Sequence, residues 1–80
     1  MEKIINNFLS DKGFMNALSS MIEAAESAIV VSLIQGNTQI LDFNQTSLEL
    51  FKALQTGDKK QAVKVGNDLV NKGHGEAFGL

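Results

Sequence analysis

The sequence predicts an all-α fold, a small three- or four-helix bundle with a C-terminal antiparallel helical hairpin. That expectation rests on apolar residues stepping by three and four from Phe14 to Leu33, on capping signals ahead of the later segments, and on the abrupt Gly57-Asp58 connection. With 80 residues the chain has the size of a single helical domain, 1–80, in which residues 74–80 are expected to form a flexible tail. A domain this small buries only roughly 60–65% of its unfolded surface, so its core is thin. The chain has no Cys, which removes disulfides and thiolate metal sites as reinforcement and leaves self-association as the remaining means.

The first element is short. Ile4, Ile5, Phe8 and Leu9 fall at i, i+1, i+4 and i+5, on one side of a helix over residues 2–9. Ser10, Asp11 and Gly13 interrupt it, and Ser10 or Asp11 is placed to cap the second helix. From there Phe14, Leu18, Met21, Ile22, Ala25, Ala28, Ile29 and Leu33 form one stripe along a helix from Lys12 to Ile34. Gly36 supplies its left-handed terminus. Val30, Val31 and Ile34 lie off that stripe, so the end of this helix is apolar on nearly all sides.

A second reading of this region is an α+β fold with a β-hairpin at residues 28–43. Ile29 to Ile34 and Thr38 to Phe43 are rich in strand-forming residues, and Gln35-Gly36-Asn37 is a plausible hairpin loop between them. The helical reading is preferred because the stripe from Phe14 stays in phase with no breaker before Gly36. Asn37 to Phe43 then becomes a connection tucking Ile40, Leu41 and Phe43 beneath the bundle.

The next helix has two candidate starts, Asp42 with Gln45 and Thr46 with Glu49, each matching the capping box. Leu50, Phe51 and Leu54 supply its inward face. After Thr56-Gly57, Asp58 with Gln61 opens the last helix, with Ala62, Val65, Gly66, Leu69 and Val70 as its stripe and Gly73 at its end. Glycine inside a helix costs ~1 kcal/mol against alanine. Ala62 and Gly66 therefore suggest a small-residue groove for close helix approach, either within the chain or at an oligomer seam.

Composition excludes several functions. With seven Lys, no Arg and nine acids giving a net charge of −2, the chain has no basic stripe for nucleic acid. Its acids are too scattered to imitate a phosphate backbone. The mostly apolar stretch Ala24–Ile34, broken by Glu26, falls short of the ~20 residues a bilayer span needs, and no signal-peptide core is visible. The expected location is therefore the cytoplasm, without nucleic-acid or membrane partners. The lone His74 has no companion at metal-ligand spacing, and Glu23 with Glu26 reads as a solvated face. No Gly-rich loop precedes a Lys-Ser or Lys-Thr pair, and no base accompanies the hydroxyl residues. The expectation is a non-enzyme with neither cofactor nor metal.

What remains is an excess of apolar surface. The sequence points to a cytosolic interaction module, a regulator, inhibitor or scaffold of bacterial or phage type, associating as a homodimer or higher homo-oligomer and open to a protein partner. Its expected interface residues are Val30, Val31, Ile34, Ala62 and Gly66. The alternative is a small-molecule-binding oligomer whose pocket lies between chains, with Gln39, Asn44 and Lys60 as the polar ligand-binding residues.

Overall fold

The computed structural model describes residues 1–80 and contains helices only: α1 (Glu2–Ser10), α2 (Lys12–Gln35), α3 (Thr38–Gln55) and α4 (Lys59–Leu69). The chain then runs through a wide turn, Val70–His74, reverses at Gly73 and closes in a 3-10 turn, Gly75–Phe78. At 1.5 Å per residue, the 24 residues of α2 measure about 36 Å, which matches the 36 Å longest dimension of the molecule. This helix is the spine. α3 runs back along it, α4 returns along α3, and α1 closes one end against α2 and α4.

Local chemistry explains most boundaries. The Asp11 carboxylate accepts from the Phe14 backbone N–H at 3.0 Å and caps α2, while Ser10 instead donates to the Asn7 carbonyl at 3.1 Å. Gly36 ends α2 at φ 69°, a left-handed conformation that costs a residue with a Cβ roughly 1–2 kcal/mol. Asp58 accepts from the Gln61 N–H at 3.1 Å and starts α4, but the reciprocal half of the expected capping box does not form, because the Asp58 N–H donates to the Ala53 carbonyl at 2.9 Å.

The start of α3 differs from both sequence readings. No β-hairpin forms at residues 28–43, and Asn37 to Phe43 is not a connection. Asn37 is the cap: its Oδ1 accepts from the Ile40 N–H at 3.2 Å and its carbonyl accepts from the Leu41 N–H at 3.0 Å. Helix formation from Thr38 puts Phe43, Ser47 and Phe51 on one face, i, i+4 and i+8. The capping-box candidates are helix-interior residues; the Thr46 hydroxyl donates to the Asp42 carbonyl at 2.9 Å.

The core is thin. Ile5, Leu18, Leu54, Ala62, Val65 and Leu69 are the most deeply buried apolar residues, and 13 of 80 residues are buried in all. The exposed surface of 5038 Å² exceeds the about 4,700 Å² expected of a monomer of this mass. Along α2 the buried positions are Leu18, Ala25 and Ser32, a seven-residue step along the seam with α3. Leu33, expected on the buried stripe, lies one position past that seam and is 60% exposed.

The segment expected as a flexible tail carries structure. Phe78 lies 6.3 Å from the Phe8 ring and His74 meets Phe43 edge-on at 5.0 Å; just ahead of this segment, Lys72 reaches Asp42 at 3.1 Å and Thr46 Oγ1 at 3.2 Å.

Candidate interaction surface and groove

Two features stand out beyond the core. The first is the free end of the α2–α3 hairpin, where Val30, Val31, Leu33 and Ile34 are between 50% and 82% exposed and Ile40 adjoins them. No charged residue occurs from Ser27 to Leu41. Of the two charges that bracket this stretch, Glu26 is exposed and Asp42 is paired with Lys72. The hairpin is held together near this end by a half-buried polar tie in which the Asn44 side-chain amide donates to Ser32 Oγ at 3.2 Å, and Ser32 donates to the Ala28 carbonyl at 2.7 Å.

The expected interface residues therefore separate into two groups. Val30, Val31 and Ile34 are together and open to solvent. Ala62 is fully buried and Gly66 is buried within the chain, so both are unavailable to a second chain and are corrected to core positions. What approaches Gly66 is a single flexible side chain, because a Cβ built there would lie 2.7 Å from Met1 Sδ. The three nearest atoms all belong to the Met1 side chain.

The expected ligand residues are not brought together either. Asn44 lines a cavity between α2 and α3, and Gln39 lines a different one with Ile40, Phe43, His74 and Glu76. Lys60 is exposed on the first turn of α4 and lines no cavity.

The second feature was not visible in the sequence. All five phenylalanines converge on a groove formed by α1, α2, α3 and the C-terminal turn. Phe8 and Phe14 stack at 4.5 Å with their planes 13° apart, and Phe78 tilts against Phe8. Phe43 and Phe51 enter from α3. Two adjoining cavities of about 320 Å³ and 250 Å³ occupy this groove and share Met21, Phe43, Ser47 and Phe51. Sequence periodicity assigns Phe8, Phe14 and Phe51 to inward helix faces, but it leaves Phe43 in a connection and Phe78 in a tail and carries no information on which faces meet.

Electrostatically the molecule is quiet. Its ion pairs, Lys59 with Glu2 at 3.2 Å and Lys72 with Asp42 at 3.1 Å, are both surface pairs, and no group of three His, Asp or Glu side chains is arranged to hold a metal. The last helix and its turn thus spend two of their lysines on acids of the same chain.

The expected lack of a bilayer-length apolar helix is corrected by α2, which taken whole is long and apolar enough to cross a membrane even though Glu26 breaks its most apolar stretch. Core helices of water-soluble bundles meet the same two conditions. Such core helices are mostly buried, whereas 17% of the apolar window of α2 is buried in the fold; Glu23 and Glu26 sit near its middle. A carboxylate at a bilayer centre costs about 2.5–3.5 kcal/mol on insertion scales.

No family model matches the chain, and neither a curated protein nor a solved structure is significantly similar to it.

Proposed function

We propose that this chain is a non-enzymatic helical interaction module, a small cytosolic regulator, inhibitor or scaffold, that self-associates through the free end of its α2–α3 hairpin. The observation that carries this reading is the contiguous exposure of Val30, Val31, Leu33 and Ile34 in a stretch with no charge from Ser27 to Leu41. Apolar surface contributes about 25 cal/mol for each Å² removed from water. A two-fold contact sets one patch against its own copy, so any charge near the axis would meet a like charge. An uncharged patch has no such penalty. The thin monomer core adds a reason for association, because a second chain covers what the four helices leave open.

The experiment is substitution at the patch. Val31→Asp places two like charges in a two-fold contact, and the variant is expected to run as a monomer in gel filtration while keeping wild-type helicity by circular dichroism. Retained association in the variant would contradict the reading. The length and apolarity of α2 favour a lipid surface as the rival partner. Flotation of the wild type with phosphatidylcholine vesicles, lost in Val31→Asp, would replace self-association with membrane binding.

A further inference from the structure

We infer that the phenylalanine-lined groove is a binding site within one chain for a small, uncharged, mainly apolar molecule carrying one hydrogen-bonding group. Ser47 is the residue that receives it.

The first support is shape. Two solvent-open depressions of about 320 Å³ and 250 Å³, the smaller one the more enclosed, adjoin and share Met21, Phe43, Ser47 and Phe51. Taken together they fall in the size class of small-molecule pockets, about 300–1,000 Å³. All five phenylalanine rings are part of the wall, with flat faces suited to a planar or alicyclic ligand.

The second support is charge. No ionisable side chain lines either cavity. An ionised ligand would leave water without a counter-charge, which strongly disfavours it. The fitting ligand is neutral.

The third support is Ser47 itself. It is 7% exposed and lines both cavities, and its hydroxyl makes no hydrogen bond within the chain. Serine and threonine in helices commonly bond the carbonyl four residues back. Ser32 and Thr46 do so here, to Ala28 and Asp42. Ser47 does not, although every fully enclosed side-chain polar atom in the molecule has a partner. Its hydroxyl is thus free to donate and to accept at the junction of the two cavities. A pocket of apolar walls with one convergent polar group selects by shape and by a single hydrogen bond. This site is independent of the exposed hairpin end.

The test uses N-phenyl-1-naphthylamine, an uncharged arylamine with one N–H whose fluorescence rises in apolar surroundings, titrated into the full chain. The expected result is saturable binding of one probe per chain. Ser47→Ala should weaken it by about fivefold, the loss of one ordinary hydrogen bond. Ser47→Leu, which fills the junction, should weaken it by about tenfold or more with helicity unchanged. If that variant does not fold, Ala28→Leu at the rim of the larger cavity takes its place. Ile34→Asp, on the hairpin end, should leave binding at the wild-type level. Absence of saturable binding would overturn the proposal, as would unchanged binding in folded Ser47→Leu or Ala28→Leu. Loss of binding in Ile34→Asp alone would also overturn it, since the probe would then sit on the exposed end.

Discussion

Asn44 donates its side-chain amide to Ser32 Oγ at 3.2 Å across the α2–α3 seam, and this pair is the polar tie nearest the exposed end of the hairpin. Ser32 is 2% exposed, so its hydroxyl is satisfied by this contact and by its own donation to Ala28. The position is the last in the series Leu18, Ala25, Ser32 that faces α3. A small polar residue there lets the helices close while holding their register.

Removing the tie should loosen the hairpin end. Ser32→Ala leaves the Asn44 amide without its partner and is expected to lower unfolding stability by about 0.5–1.5 kcal/mol. Denaturant unfolding followed by circular dichroism checks the figure, and the Ser32→Ala/Asn44→Ala double variant should cost less than the sum of the two single changes.

Two glycines should respond in opposite directions to alanine. Gly36→Ala meets no steric obstacle but must hold φ 69°, and it is expected to destabilise by about 1 kcal/mol or more. Gly66→Ala collides only with the movable thioether of Met1, so gained helix propensity of ~1 kcal/mol outweighs the displacement and the melting temperature should rise. A fall in stability for Gly66→Ala would show that Met1 is held more firmly than its side chain suggests.

Loss of the Asp58 cap should be measurable without touching the core. Asp58→Ala removes the acceptor for the Gln61 N–H and is expected to cost about 1 kcal/mol. Asp58→Asn, which keeps an acceptor oxygen, should restore most of that in the same thermal melt.

The surface pair Lys72 with Asp42 should matter little. Both side chains are almost half exposed, and such pairs contribute about 0–1 kcal/mol, further reduced by salt. Lys72→Met is therefore expected to leave the melting temperature almost unchanged at physiological ionic strength.

Sequence patterning carried the elements whose signals are local. The stripe of α2, the Asp11 and Asp58 caps and the Gly36 terminus follow from residue order alone, because each depends on contacts within three or four residues. The start of α3 did not follow, since Thr38 to Phe43 contains β-favouring residues and is held helical by Asn37 and by packing of Phe43 against distant chain segments. Gly66 also misled: its spacing from Ala62 suggests helix approach, but its neighbour is the side chain of Met1. For the surface features, the apolar excess at Val30, Val31 and Ile34 was legible because no periodic face accommodates them. The convergence of five phenylalanines on Ser47 was not, because it is a property of how helices are arranged in space.

Whether the uncharged hairpin end is a self-association surface is decided by light scattering after gel filtration. Detection by refractive index suits a chain without Trp or Tyr. The expected mass is a multiple of the 8.6 kDa chain, falling to 8.6 kDa for Ile34→Asp with helicity intact. A wild-type mass of 8.6 kDa across the whole concentration range would refute self-association through this surface.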